Sequence, residues 1–249
     1  MNVELVSCTP NALELLIYTK GTRLEGNYTL LDIVAWPYKR KMEELEYMKK
    51  TIQSSFEFVD YVFKLSGVSR TFTHQLVRSR HNSYQQEAMR AVDVRDHGYN
   101  NTVPDQLKPM FENVMDAVFD TYADMIDQGV PRQDAREMLP TGIHTTIMVK
   151  ANLRSLSQMA ELRLCKRVQG EYQRVFKEMR DKVCEIHPWA DDFLQVACVK
   201  TGICIFPNYT ECPVQEHTVK VSDHRKNMIK EIWANTVHEA NPEAKDGRA

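Results

Sequence analysis

The 249-residue sequence contains no apolar run of membrane-spanning length, no Cys-x-x-Cys pair, no internal repeat and no low-complexity linker. Without about 20 consecutive apolar residues a helix cannot cross a bilayer. The opening Met1-Asn2-Val3-Glu4 lacks the basic start and greasy stretch of a secretion signal, so a soluble, cytoplasmic protein is expected. Its six cysteines are then expected to be reduced thiols. Cys184, Cys198, Cys204 and Cys212 gather toward the C-terminus with His187 and His217 nearby. Zinc sites normally show a close ligand pair, so buried thiols and no metal are expected there. An excess of positive charge is also missing: the net charge is -2, which argues against an extended nucleic-acid footprint.

What the chain does have is enough apolar residue, 43%, to bury the core of one large domain. Val3, Leu5 and Ser7 begin a short strand that Thr9-Pro10 ends. Residues 12–20 and 41–53 are expected to be helical, the latter from the spacing of Met42, Leu45 and Ile52. The stretch FEFVDYVFKL, 56–65, reads as a strand, Gly67-Val68-Ser69 as a turn, and 70–79 as a helix. Leu107, Phe111, Val114, Val118, Tyr122 and Met125 trace one helical face that Gly129 stops. Pro131 opens a further helix toward Leu139-Pro140. Residues 152–183 make one or two helices, with Tyr172, Phe176, Met179 and Val183 on one side. The expected whole is a single α+β domain over 1–237, with a flexible polar tail over 238–249.

One segment stands out against this balanced background. RSRHNSYQQEAMR, residues 78–90, places Arg78, Arg80 and Arg90 among amides and hydroxyls with little acid to balance them. An arginine fork matches phosphate and carboxylate bidentately and stays charged. Helical apolar periodicity is weak over Asn82–Gln86, so a loop is expected. Such a loop can bind a phosphate and read a heterocyclic base; the bland alternative is a solvated basic face.

HQLVRSRHNSYQQEAMR resembles the signature of the flavin-dependent thymidylate synthases, HQ-x-VRHR-x-x-S followed by S-x-R. GVPRQDAREMLP, 129–140, and NLRSLSQMAELR, 152–163, resemble two further blocks of that family in the same order, and Gln169 and Glu171 fall where it has A-Q-W-E. The resemblance implies an α+β domain with a central, mostly antiparallel sheet flanked by helices, assembled as a homotetramer. It implies reductive methylation of dUMP at C5 to dTMP, with methylenetetrahydrofolate as carbon donor, FAD as cofactor and NADPH as reductant.

Carried over by motif, Ser55, Arg78, Ser79, Arg80, Gln86, Asn152, Leu153, Arg154 and Gln158 would contact FAD. Gln75, Leu76, Val77, Arg78, the loop Gln86-Glu87-Ala88-Met89-Arg90, Arg136 and Arg163 would hold dUMP. Arg90 would neutralise the phosphate, and Arg163, as the catalytic group, would stabilise charge building at N3 and O4 of the pyrimidine. Asn152 also suits a helix cap, and Gln169 and Glu171 suit a supporting role. The chain departs from the pattern at Gln53, Ser79, Ala88, Ala91 and Gln133, which stand where the family has His, His, Ser, an aromatic and Glu. A divergent enzyme making another C5 modification, such as hydroxymethylation, and a non-catalytic nucleotide or flavin binder are the alternatives.

Overall fold

The computed structural model describes residues 1–24, 26–204, 206, 212, 219–220 and 227–228. The expected tail over 238–249 and His217 lie outside the described residues. The chain begins with β1 (Asn2–Cys8), α1 (Ala12–Arg23), α2 (Leu30–Ala35) and α3 (Tyr38–Lys49). Next come β2 (Asp60–Ser69), α4 (Arg70–Leu76), β3 (Ser83–Gln86), α5 (Lys108–Asp127) and α6 (Arg132–Ala135). After them follow β4 (His144–Asn152), α7 (Leu153–Arg163), α8 (Gly170–Ile186), α9 (Ala197–Thr201), β5 (Ile203–Cys204) and β6 (Val219–Lys220). Among the described residues β1 to β4 form an antiparallel sheet in the order β1-β2-β4-β3, flanked by helices. The α+β expectation holds.

The strand expected at 56–65 begins later. Gln53–Phe58 forms a 3₁₀ turn; Phe56 within it and Val59 just beyond it are fully buried, while Phe58 is exposed. Inward residues three apart fit a 3₁₀ period, not the two-residue period of a strand. From Asp60 the period becomes two: Tyr61, Phe63 and Leu65 are fully buried, while Lys64 between them is exposed. The turn expected at Gly67-Val68-Ser69 is instead a bulge inside β2, where the register with β4 shifts between Ser66 and Val68. Gly67 adopts φ +65°, and a Cβ there would approach the Met1 backbone nitrogen to 3.1 Å. Both features favour glycine.

Helix α3 starts earlier than expected because Pro37 stands at its N-cap, where the fixed φ of proline suits a helix start, and it ends at Lys49. The loop expected at Asn82–Gln86 contains β3, whose polar residues pair with β4 from Ser83 opposite Lys150 to Gln86 opposite Ile147. No element is expected from the sequence at 144–152, yet β4 is one of the sheet's two inner strands. Its Thr145, Ile147, Val149 and Ala151 point into the core in strict alternation.

Residues 152–183 resolve into two helices, α7 and α8, with Tyr172, Phe176, Met179 and Val183 all buried as expected. These side chains join α1, α3, α7 and the sheet in the larger apolar cluster. A smaller cluster forms under α5 and α6 around Tyr122, Ala135, Met89 and Ile143. The buried face of α5 differs from the expected one. Met115 and Tyr122 turn inward, whereas Leu107 is 43% and Val114 59% exposed.

One polar contact in the core gives a pH dependence. The Tyr61 hydroxyl lies 2.9 Å from His187 Nδ1, and burial holds the imidazole pKa below its usual value, against a small upward pull from Glu14. The unfolded chain therefore binds more protons at this site. The stabilisation is complete above the ordinary imidazole value and is lost as pH falls through it toward the folded value. Urea midpoints should fall as pH drops below about 6.5. In His187→Gln, which keeps a polar partner for Tyr61 without titrating, that slope should be shallower; an unchanged slope would place the titration elsewhere.

Candidate active site

Two strand ends set the positions of the candidate residues. Ser69 ends β2 and caps α4: its Oγ accepts from Phe72 N at 3.0 Å. Asn152 ends β4 and caps α7: its Oδ1 accepts from Ser155 N at 2.8 Å. The cap role for Asn152 is thus present. In the β2–β4 register Asn152 sits opposite Asp60 and His144 opposite Ser69, so the two helix starts lie at opposite ends of the ladder. Nine residues of antiparallel strand separate them by roughly 30 Å.

At the Asn152 end, two adjoining clefts share His81, Ser155 and Gln158. The first, about 280 Å³, is lined also by Glu57, Asn152 and Arg154. The second, about 320 Å³, adds Arg78, Ser79, Arg80, Met159, Leu162 and Arg163. Three sequence blocks far apart in the chain therefore meet: the segment after α4, the turn before β2, and α7. Arg154 pairs with Glu57. Among the described residues Arg78, Arg80 and Arg163 have no carboxylate partner within ion-pair distance. Arg163 instead stacks its guanidinium 4.4 Å from the centre of the Tyr172 ring, a cation–π contact. The Tyr172 hydroxyl is buried without a hydrogen bond of good geometry, and burial raises its pKa against the opposing pull of Arg163.

At the other end a third cleft of about 340 Å³ is lined by Arg70, His74, Met89, Arg136 and Thr141, among others. Arg70 has its pKa lowered, first by burial and then by the Arg136 charge, with Glu87 opposing. Two guanidiniums held in one cleft are a standing repulsion that an anion would relieve.

The remaining motif residues divide by environment. Leu76 and Leu153 are fully buried, so their side chains belong to the core and only their backbones can face a ligand. Ser55 is buried at 6% exposure. Gln86 donates from Nε2 to Thr73 Oγ1 at 2.9 Å, and Gln75 to Gln169 Oε1 at 3.5 Å. Glu87 is engaged inside the protein: Oε1 lies 2.8 Å from His97 Nε2 and Oε2 accepts from Thr146 N at 3.1 Å. Val77, Ala88 and Arg90 are exposed and line none of the three clefts described. Sequence reading missed Glu57, His81, Ser155 and Arg70. His81 and Ser155 lie inside matched blocks, so scoring those blocks for cleft-facing side chains as well as signature letters would have found both.

This is an α+β protein whose sheet ends present arginine-lined clefts suited to polyanionic ligands. The family model described as "Thymidylate synthase complementing protein" matches residues 5–189. A flavin-dependent thymidylate synthase of Sulfurisphaera tokodaii is 31% identical over 212 residues, covering 80% of this chain and 79% of that protein. One from Geobacter sulfurreducens is 37% identical over 142 residues, covering 55% of this chain and 61% of that protein. Another, from Pyrococcus furiosus, is 34% identical over 166 residues, covering 61% and 67%. The chain belongs to this family, the flavin-dependent thymidylate synthases, and its class of activity is theirs.

Glu171 shows how the site is held. It is 4% exposed; its carboxylate accepts from Ser69 N at 2.8 Å and from Ser69 Oγ at 2.5 Å. It thereby fixes the start of α4, which leads into Arg78 and Arg80. Glu171→Gln presents an amide donor to one of two donors, and a buried charge-assisted contact of this kind is worth about 1.5–3 kcal/mol. A loss of that size should appear in the guanidinium unfolding midpoint. A change under about 0.5 kcal/mol, the range of a surface substitution, would contradict the supporting role.

Proposed function

We propose that the protein converts dUMP to dTMP in the cytoplasm, using methylenetetrahydrofolate and NADPH with FAD as cofactor, and acts as a homotetramer. The observation that carries this reading is the convergence of Arg78, Arg80, Arg154 and Arg163 on adjoining clefts at the capped start of α7. Four guanidiniums against the single carboxylate of Glu57 form a donor set matched to a dinucleotide diphosphate and a nucleotide monophosphate. FAD fits this donor set, and when bound it supplies the hydride chemistry of the methylation.

Asn152, Arg154 and Gln158, with Arg78, Ser79 and Arg80, would hold the dinucleotide along the α7 start. Ser55, Leu153 and Gln86 would contribute from the walls and backbone. Arg136 and Met89, with Gln75 and the segment through Arg90, would hold the nucleotide, and Arg70 adds a second cation beside Arg136. Arg163, with no carboxylate in ion-pair range among the described residues, would offset negative charge at the pyrimidine edge as C5 becomes nucleophilic. Its stack on Tyr172 orients the guanidinium before substrate arrives.

A tetramer is supported by two features. The residues assigned to the nucleotide divide between opposite ends of one chain's sheet, with Arg90 outside either cleft, so a neighbouring subunit would complete each site. Helix α5 also exposes Met110 at 63% and Val114 at 59%, an apolar stripe suited to burial between subunits.

The deciding experiment supplies purified protein with dUMP, methylenetetrahydrofolate, NADPH and FAD and identifies the product by mass spectrometry. dTMP is expected; a hydroxymethylated nucleotide, or NADPH-independent binding with no product, would overturn the reading. Arg163→Ala should lower turnover at least tenfold, as loss of about 1.5–3 kcal/mol implies, with little change in affinity for FAD. Arg90→Ala should weaken all pyrimidine monophosphates alike. Unchanged rate and affinity in both variants would put these arginines outside the site.

A further inference from the structure

The segment between β3 and α5 leaves the sheet and then returns to it. Glu87 N donates to Thr146 O at 3.0 Å, and Thr146 N donates to Glu87 Oε2 at 3.1 Å. Further on, His144 N donates to Gly98 O at 2.8 Å, and Tyr99 forms an antiparallel bridge with Ile143. Thr146 and His144 are two residues apart, so their backbone groups face the same edge of β4. Residues 88–97 are therefore a loop let out of one continuing ladder, with its two stems side by side. His97 and Glu87 close the mouth of this loop. Nε2 lies 2.8 Å from Oε1, and the two side chains are 23% and 17% exposed.

The loop so closed carries two of the residues assigned to the nucleotide. Met89 packs into the smaller apolar cluster and lines the Arg70–Arg136 cleft. Val94 is fully buried in the same cluster, and Arg90 between them is exposed. The turn that carries Arg90 is made by Ala91 N and Val92 N, which donate to Ala88 O at 2.8 and 3.1 Å. On the far side Arg95 pairs with Asp127 of α5 at 2.9 Å, but these side chains are 41% and 66% exposed, and such pairs contribute little. Apolar packing at Met89 and Val94 is non-directional and does not aim Arg90. The contact between His97 and Glu87 is directional, shielded and placed across the stems. Facing a carboxylate that only accepts, Nε2 is the donor, and such charge-assisted bonds are among the stronger ones.

We propose that His97 is a positioning residue for nucleotide binding: through Glu87 it holds the 88–97 loop closed, so that Arg90 meets the nucleotide phosphate. The inference rests on the nucleotide role given to Arg90 above. His97 lies outside the three matched blocks and lines none of the three clefts described, so its effect on a ligand passes through other residues. With the clasp open, both stems stay on β4 through their backbone bonds, while the loop samples orientations that misdirect Arg90. Apparent affinity then falls by the fraction of molecules in which the loop is closed. The cost falls on the phosphate. Arg78, Arg80 and Arg163 stand on other segments, and the dinucleotide cleft keeps its shape.

The test measures dUMP binding to the full-length, FAD-loaded protein by titration calorimetry, beside steady-state kinetics. His97→Leu should weaken dUMP severalfold, up to about tenfold, the size of one charge-assisted hydrogen bond. Its KM for dUMP should rise by more than its kcat falls. His97→Gln, whose amide reaches the Nε2 position, should restore most of the affinity. His97→Asn, whose amide stops at the Nδ1 position, should not, and it replaces His97→Leu should the apolar variant fail to fold. In an Arg90→Ala background the loss from His97→Leu should largely disappear, because its route to the phosphate is gone. Unchanged dUMP affinity in His97→Leu and His97→Asn, with a loss in Arg90→Ala, would overturn this inference alone. So would equal losses from Gln and Asn, or full additivity with Arg90→Ala, since either would make His97 a matter of general stability. Unchanged dUMP affinity in Arg90→Ala would overturn the nucleotide reading as well.

Discussion

The register of β2 against β4 is the constraint from which the site follows. It pairs Asp60 with Asn152 and Ser69 with His144, and the end residue of each strand caps the next helix. A slip of one residue would turn Tyr61, Phe63 and Leu65 out of the core and Lys64 into it. It would also displace both caps, and with them the starts of α4 and α7. The bulge at Gly67 lets the strand run on to Ser69 in the correct register, so a single positive-φ glycine serves both fold and site.

Electrostatics is built on that frame by omission as much as by pairing. Elsewhere several cations are matched: buried Lys41 with Glu14 at 2.6 Å, Lys150 with Asp60 at 2.8 Å, Arg95 with Asp93 at 2.8 Å. Around the clefts two carboxylates are committed inward, while the exposed Glu57 pairs with Arg154 and the exposed Glu137 lies 4.0 Å from Arg136. Glu171 is taken by Ser69 and Glu87 by His97 and Thr146. These two acids stiffen the scaffold, and among the described residues Arg78, Arg80 and Arg163 have no ion-pair partner.

The sequence made the chemistry legible earlier than the topology. The three ordered blocks located Arg78, Arg80, Asn152, Arg154 and Arg163, and the structure brings all five to adjoining clefts. The supporting role read for Glu171 is visible as its two bonds to Ser69. β4 was missed although Thr145, Ile147, Val149 and Ala151 alternate cleanly, because its polar partners on β3 gave no matching signal. The FEF segment misled because aromatic content favours a strand while the inward spacing of Phe56 and Val59 is three. Arg70 could not be assigned from spacing at all: it gains its neighbours only when distant segments fold together.

The departures from the family pattern gain a physical reading from the same geometry. At Ser79 the backbone carries the local structure: its carbonyl accepts from the Tyr84 hydroxyl at 2.9 Å and its N–H donates to Leu76 O at 3.1 Å. Ala88 likewise works through its carbonyl, which accepts from Ala91 N at 2.8 Å and Val92 N at 3.1 Å. Gln133 is exposed on α6, with its carbonyl accepting from Arg136 Nε at 3.2 Å. Side chains at these positions can change without moving the arginines, because backbone atoms hold the turns. Beside Ser79, His81 lines both clefts at the Asn152 end, so an imidazole is retained there despite the loss of the motif histidine. The fold thus separates two demands: backbone hydrogen bonds fix where the guanidiniums stand, and the side chains between them are left open to variation in how protons are handled.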